Sequence, residues 1–175
     1  TAHYAYKISI RPKSGLMTIL QNSPGIKTIN SFAVKYSKKK IPKYRLDYDA
    51  MQKLYPTAQW HYLTHWTHCH AGNWIHENKA NYYEALVSSH DEPPRSARRT
   101  LQEIKKVGKI FASTNMIRGN IPVVSFTAHP PSQALQLMRW RNGLGRYNFE
   151  PYGIVVDKDV AINMGAKPAI YGDEK

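Results

Sequence analysis

One short stretch of this 175-residue chain concentrates side chains that carry acid–base and metal chemistry. Residues 60–76 hold five of the eight histidines, three of the four tryptophans and the only cysteine. Histidine changes charge near neutral pH and is the commonest metal ligand in proteins. The stretch therefore favours either a metal centre or a catalytic and ligand-binding site.

A metal centre requires the ligands to meet in space. If residues 60–66 form a strand, the first two histidines share a face, because side chains alternate along a strand. The next ligands follow just past the strand end, so a tetrahedral zinc site is conceivable. Its ligands would be His61, His65, His68 and Cys69, with His70 as an alternative to Cys69. The spacing matches no usual zinc signature, so the metal remains an alternative to histidines that only hydrogen-bond.

His65 is the strongest candidate for a histidine that contacts a ligand. It lies in the middle of the predicted strand beside Thr64, where its ring can hydrogen-bond to a ligand's hydroxyl groups. Trp66 and Trp74 offer aromatic faces on which a ligand ring can stack. Buried histidines beside hydroxyl groups are also common in ordinary cores, so a purely structural His65 is the competing interpretation.

A second cluster joins arginines to a tryptophan. Arg139, Arg141 and Arg146 flank Trp140 within eight residues, and this combination can bind phosphate bidentately and stack a base. It suits a dinucleotide and a nucleic-acid strand equally. If the segment is helical, residues 139 and 141 lie about 200° apart, so both face one ligand only if the helix ends between them, near Gly143.

The net charge of +13 points to a polyanionic partner. Residues 1–60 hold eleven lysines and arginines against two acidic residues, so most of the excess is N-terminal. A dense positive face attracts nucleic acid, although a solvated basic surface without a partner is the alternative. The candidate nucleic-acid-binding residues are Lys35, Lys38, Lys39, Lys40, Lys43 and Arg45.

The elements that must position these residues alternate between the two kinds of secondary structure. Apolar patterning and turn residues predict strands over 4–10, 28–36, 60–66, 109–113, 122–127, 152–157 and 168–171. They predict helices over 16–20, 47–54, 74–88, 96–107, 131–141 and 158–164. We expect one α+β domain with a central mixed or antiparallel sheet flanked by helices, formed by a basic N-terminal segment over 1–58 and a core over 59–175.

Membrane and secretory signals are missing from the sequence. No apolar run approaches the roughly 18 to 20 residues that span a bilayer, and the N-terminal residues lack the apolar region of a signal peptide. A single cysteine cannot form an internal disulfide, which is typical of a reducing compartment. The sequence therefore predicts a cytoplasmic protein without a membrane partner.

Four segments resemble a known family. They are 63–67 (LTHWT), 101–110 (LQEIKKVGKI), 123–130 (VVSFTAHP) and 149–154 (FEPYGI). Over residues 60–172 the chain resembles uncharacterised bacterial abortive-infection proteins of the AbiGi-like type. It is similar, more remotely, to ADP-ribosyltransferase-like folds such as the DNA-modifying DarT group.

The resemblance implies roles for four residues. His65 would hold a nicotinamide dinucleotide from the first core strand, and Ser125 and Thr127 would line the cleft. Glu150 would be the carboxylate that orients or deprotonates the acceptor, although an ion pair with a nearby arginine is its alternative. No cofactor is certain, and the dinucleotide enters as the substrate that the resemblance implies.

Three functions remain open at this point. The first is an ADP-ribosyltransferase-like enzyme that acts on DNA, RNA or their machinery in bacterial defence. The second is a non-enzymatic nucleic-acid-binding protein or assembly subunit. The third is a metal-dependent nuclease that uses the histidine cluster, completed by Asp157 or Glu150. The chain has only twelve acidic residues. This low number argues against a nuclease, because Mg²⁺ sites need several carboxylate oxygens.

Overall fold

A computed structural model describes residues 5–9, 26–29, 43–70, 72–89, 95–114 and 117–170. Its main feature is a six-stranded sheet with the order β2-β7-β3-β4-β1-β8, in which every neighbouring pair is antiparallel. The strands are β1 (Ala5–Ser9), β2 (Ile26–Ile29), β3 (Tyr62–Trp66), β4 (Val123–Thr127), β7 (Gly153–Asp157) and β8 (Ala166–Pro168). A separate ribbon pairs β5 (Trp140–Arg141) with β6 (Arg146–Tyr147).

Five α-helices accompany the sheet in the described ranges. They are α1 (Tyr48–Leu54), α2 (Lys79–Ser88), α3 (Ala97–Val107), α4 (Pro131–Ala134) and α5 (Lys158–Asn163). The expected α+β architecture with an antiparallel central sheet is confirmed. No helix in these ranges is long and apolar enough to cross a bilayer.

Buried clusters cover both faces of the sheet. Strand β3 contributes to both clusters, because its side chains alternate between the two faces. Leu63 packs with Leu101 of α3 and Ala161 of α5 in one cluster. Trp66 packs with Met51 of α1 in the other cluster, which also contains residues from α4. Each fully buried aliphatic side chain of this kind contributes about 1.5–3 kcal/mol. The two clusters fix β3, and therefore His65, at the centre of the domain.

The ends of α1 and α3 agree with the predictions made from capping residues and from proline. The side chain of Asp47 accepts a hydrogen bond from the backbone N–H of Ala50, and α1 ends before Pro56, as expected. Ser96 caps the start of α3, and Gly108 ends it in the left-handed conformation.

The helix expected over 74–88 begins five residues later than expected, at Lys79. The side chain of Asn78 accepts from the N–H of Asn81 at 2.8 Å and starts the helix there. Residues 74–77 instead form a turn in which the carboxylate of Glu77 accepts from the N–H of Trp74. The helix has no buried residue, so the expected amphipathic face is not packed into the core.

The expectation of one helix over 131–141 is wrong. Helix α4 ends at Ala134, a single 3-10 turn covers Leu135–Leu137, and the chain then becomes extended. Asn148 explains the ending: its Nδ2 donates to the carbonyl of Leu137, and its Oδ1 accepts from the N–H of Arg139. These bonds replace the helical ones that would have continued the turn.

Two predicted strands also differ from the structure. Residues 109–113 form no strand; Ser113 makes an isolated bridge with Val123, and Lys109 is a further single bridge residue. The last described strand is Ala166–Pro168 rather than 168–171. In the N-terminal segment, β1 and β2 both belong to the central sheet, whereas the helix expected over 16–20 and most of the strand expected over 28–36 lie outside the described residues.

Candidate functional site

The sheet opens between β3 and β4. β3 pairs with β7 at five positions, but its ladder with β4 contains one pair, Thr64 with Thr127. Beyond this pair a side-chain hydrogen bond joins the two strands: the Nδ1 of His65 lies 2.9 Å from the carbonyl oxygen of Ser125. A cavity of about 660 Å³ lies at this opening. Its volume is typical of small-molecule sites, which span roughly 300–1,000 Å³.

The cavity collects most of the candidate ligand-binding residues. Those that line it are Thr64, His65, Trp66, Trp74, Ser125, Thr127 and Arg146. Four of the five histidines of the 60–76 stretch also line it, and they are His65, His68, His70 and His76. Strands far apart in the sequence therefore bring these side chains around one space.

Hydrogen bonding fixes the form of His65. A carbonyl oxygen only accepts, so Nδ1 must carry the proton and donate to Ser125. Burial lowers the pKa of His65, and the bond to Ser125 partly opposes that effect by raising it. The ring is therefore neutral at pH 7, with a lone pair on Nε2 that can accept a hydrogen bond or a proton.

His68 has the same form for the same reason. Its Nδ1 lies 2.9 Å from the carbonyl oxygen of Cys69 and donates to it. Burial lowers the pKa of His68, the bond to Cys69 raises it, and the charge of Arg146 lowers it further. The cavity thus contains two neutral imidazoles whose Nε2 atoms are unprotonated.

The two tryptophans of the site already contact other groups. The ring of Trp66 stacks on Phe149 with centroids 5.8 Å apart. The ring of Trp74 stacks on His70 at 5.3 Å, and the guanidinium carbon of Arg95 lies 4.7 Å from its centroid. Trp74 therefore lines the cavity as part of a cluster, not as the free stacking face that the sequence suggested.

Two buried polar groups of the cavity wall are unsatisfied. The hydroxyl of Thr64 and the indole N–H of Trp66 have no hydrogen-bond partner among the described residues. Thr64 is 0 % exposed and Trp66 is 9 % exposed. Buried polar groups are normally hydrogen-bonded, and leaving one unpaired costs about 1–3 kcal/mol. Both atoms are closed off from the cavity, so a polar ligand would remove that cost only by displacing the side chains around them.

The arginine cluster is arranged as a ribbon rather than a helix. Arg141 and Arg146 are register partners in β5 and β6, so their side chains project from the same face of the ribbon. Arg146 lines the cavity, while Arg141 and Arg139 are exposed and do not line it. Like charges directly opposite one another repel, and an anion held between them relieves that repulsion.

Glu150 is buried behind the loop that follows β3. It is 3 % exposed and is not one of the residues that line the cavity. Its Oε1 accepts from the backbone N–H of Cys69 at 2.9 Å, and its Oε2 accepts from the hydroxyl of Tyr44. Its own N–H donates to the carbonyl of Thr67 at 2.8 Å. Glu150 therefore holds the segment that carries His68.

The four proposed zinc ligands do not form one group. His61 lies outside the cavity, and its Nε2 is 3.1 Å from Asp159. Among the described residues, the group of three possible ligands is His61, Asp157 and Asp159, with ligand atoms within 4.8 Å of one another. Asp157 already caps α5 through its Oδ1. The pKa of the Cys69 thiol is raised, first by burial, so this thiol is protonated and a poor ligand.

The sequence analysis missed one wall of the cavity. Thr100, Glu103, Ile104 and Val107 line it from one face of α3, and their spacing of three and four residues is the available sequence signal. Glu103 is already engaged: its Oε1 lies 2.8 Å from the Nε2 of His76 and 3.9 Å from the Nζ of Lys106.

The candidate nucleic-acid-binding residues of the N-terminal segment mostly lie outside the described residues. Lys35, Lys38, Lys39 and Lys40 are among those not described. Lys43 and Arg45 are exposed, and neither lines the cavity. No protein-family model, curated protein or solved structure matches this chain. The function must therefore be argued from the chemistry of the cavity.

Proposed function

We propose that the cavity binds a nicotinamide dinucleotide and that the protein transfers its ADP-ribosyl group to nucleic acid or the nucleic-acid machinery. The activity is the one implied by the resemblance to AbiGi-like and ADP-ribosyltransferase-like proteins, and its setting would be bacterial defence in the cytoplasm. The observation that carries the proposal is the neutral His65 at the opening between β3 and β4, with its Nε2 lone pair available.

The ligand's polar groups match those of the cavity. A ribose hydroxyl would donate to the Nε2 of His65, and the hydroxyls of Thr64, Ser125 and Thr127, which lie on the other face of β3 and β4, would bind polar groups of the ligand that pass through the opening. The diphosphate would lie at Arg146, which offers a planar set of donors suited to phosphate. Arg141, opposite it in the ribbon, would supply a second positive charge.

The reaction needs a proton acceptor near the bound dinucleotide. The bond between ribose C1′ and the nicotinamide nitrogen breaks, and its electron pair leaves with neutral nicotinamide. An oxygen or nitrogen of the acceptor then forms a bond to C1′ and loses a proton. The Nε2 of His68 is the neutral base in the cavity that can take it, since the Nε2 of His65 accepts from the ribose. Glu150 acts as a positioning residue in this scheme, through the loop that it holds.

The positions of the carboxylates favour a second candidate, binding without transfer. Glu103 lines the cavity but is paired with His76, and Glu150 lies behind the loop. A protein that only binds nucleic acid would need no carboxylate in the cavity, and could use it to hold an unpaired nucleotide.

A transfer assay separates the two candidates. The wild-type protein is incubated with labelled dinucleotide and either single-stranded DNA, duplex DNA or RNA, and label on the acceptor is measured. We expect transfer by the wild type and a loss of about 100-fold or more in His65→Ala. His61→Ala is the matched control, since His61 is exposed and outside the cavity, and it should keep full activity. Absence of transfer to every acceptor would contradict the enzyme proposal.

A further inference from the structure

Helix α3 has three faces with different surroundings. Ala97 and Leu101 belong to the core. A second face, described above, lines the cavity and includes Glu103. At 100° per residue, the remaining surface spans more than a third of the helix circumference. This third face, which we call the outer face of α3, points away from the core.

The outer face is basic over its whole length. Its members are Arg98, Arg99, Gln102, Lys105 and Lys106. Four cations therefore lie on it: Arg98 and Arg99 also have contacts within the protein, whereas Lys105 and Lys106 are exposed. Lys109 follows the helix and lines the cavity. Glu103 is the one carboxylate of the helix, and its contact with the exposed Lys106 is a long ion pair, at 3.9 Å. The four cations and the single carboxylate give the helix a net charge of about +3.

The spacing of these cations suits a row of phosphates. Residues 98 and 105 are seven apart and so lie nearly in line, as do residues 99 and 106. Each pair is separated by about 10 Å along the axis at 1.5 Å per residue. That distance spans roughly three nucleotides of a stacked strand at 3.4 Å each. The second row borders the cavity face, so a strand bound there would pass its rim.

Aromatic rings lie at the same rim. His76 and Phe111 both line the cavity, and their rings stack with centroids 6.3 Å apart at an angle of 30°. His76 is exposed and contacts α3 through Glu103. Unpaired bases stack on such rings without regard to sequence, whereas the bases of a duplex have no free faces.

We propose that single-stranded nucleic acid binds along the outer face of α3 and places an unpaired base at the mouth of the cavity, beside His76, Phe111 and Lys109. The surface would present the acceptor to the dinucleotide. Its role as an acceptor path rests on the proposed transferase function, but the binding itself is measured without dinucleotide.

The test compares two double charge reversals of exposed lysines. Lys105→Glu/Lys106→Glu removes two cations from the outer face. Lys53→Glu/Lys167→Glu changes the net charge equally, but one site is on α1 across the sheet and the other on the edge strand β8. Binding of a fluorescent single strand of about 20 nucleotides is followed by anisotropy at salt concentrations of about 50 to 200 mM. A strand of this length is longer than α3. Circular dichroism melting checks that each variant is folded.

We expect the α3 variant to bind at least about tenfold more weakly and to reduce the slope of log K against log salt by about 1.4, or 0.7 for each lost contact. The Lys53/Lys167 variant should keep its slope and lose less than about threefold. Phe111→Ala should weaken single-strand binding without changing the slope, because stacking releases no counterions. If the α3 charge reversal impairs folding, Lys105→Gln/Lys106→Gln set against Lys53→Gln/Lys167→Gln gives the same comparison.

Three outcomes would contradict the proposed surface. Equal losses of strand affinity in both charge-reversed variants would show that only net charge matters. Tighter binding of duplex than of single strand, or no binding at all, would also overturn it. Two further outcomes separate the surface from the transferase. If strand binding depends on α3 but the protein transfers no ADP-ribose, the surface is supported and the transferase is contradicted. If the protein binds dinucleotide but strand binding does not depend on α3, the surface is contradicted and the transferase is not.

Discussion

The Nδ1 of His65 donates to the carbonyl oxygen of Ser125 across the gap between β3 and β4, at 2.9 Å. This bond joins two strands whose backbone ladder has a single pair, at Thr64 and Thr127. It also fixes which ring nitrogen carries the proton. The same contact therefore bridges the opening between the strands and leaves the Nε2 of His65 free to accept from a ligand.

Thr64→Val separates ligand binding from folding. The Thr64 hydroxyl is buried and has no partner among the described residues, so valine should leave the free energy of unfolding unchanged or raise it. If the dinucleotide satisfies that hydroxyl, the variant should bind it about five- to tenfold more weakly, by calorimetric titration. A variant with lower stability and unchanged dinucleotide affinity would show that the hydroxyl serves the fold.

Stability should fall as the pH is lowered below about 6.5. Burial lowers the pKa values of His65 and His68 in the folded protein below their ordinary value, so near pH 6 the unfolded chain binds more protons. The free energy of unfolding therefore rises with pH in the window between the lowered values and about 6.5, and levels off above it. Urea unfolding at pH 5.5 to 8 measures this slope. The double variant His65→Gln/His68→Gln should flatten it, and an unchanged slope in that variant would refute the assignment.

Substitutions of Glu150 distinguish a positioning residue from a catalytic one. Glu150→Ala leaves the buried N–H of Cys69 without its partner and should lower the free energy of unfolding by about 1–3 kcal/mol. Glu150→Gln keeps an oxygen that can accept from Cys69. We expect this variant to retain dinucleotide binding and at least about a tenth of the transfer rate. A folded Glu150→Gln protein that binds dinucleotide but has lost transfer entirely would make Glu150 catalytic.

Gly153 controls how closely β7 approaches β3. A Cβ atom there would lie 2.9 Å from the carbonyl oxygen of His65 and 3.0 Å from the ring of Trp66. Gly153→Ala should therefore cost about 1–3 kcal/mol of stability, because backbone must move. Gly143→Ala is the matched control, since its Cβ would meet nothing within 4 Å and its φ is not left-handed. Thermal melting of both variants checks this, and equal melting temperatures would contradict it.

The parts of the fold that were predictable carry strong local signals. Strand β3 shows alternation, and α3 shows a serine cap, a regular apolar face and a terminal glycine. The secondary-structure predictions were wrong where hydrogen bonds from residues distant in the sequence override the local helix preference. Asn148 ends the segment after α4 by bonding to Leu137 and Arg139, about ten residues upstream, and no local pattern reveals this.

The candidate site was predictable in its residue types and less so in its grouping. His65, Ser125 and Thr127 meet because β3 and β4 are neighbours in the sheet, a pairing that the local pattern of neither strand specifies. The separation of His61 from His65 was not foreseeable from their spacing, because it depends on where the strand begins. His61 precedes β3 and pairs with Asp159 at the start of α5. The α3 wall was missed because Glu103 looked like an ordinary surface residue.

The most direct test of the central claim is to observe the ring nitrogens of His65 by ¹⁵N NMR, with and without nicotinamide dinucleotide. We predict that at pH 7 Nδ1 is protonated and Nε2 is not, and that adding dinucleotide shifts the Nε2 resonance as it accepts a hydrogen bond. His61 should not respond. A proton on Nε2 in the free protein, or an Nε2 resonance unmoved by saturating dinucleotide, would contradict the account.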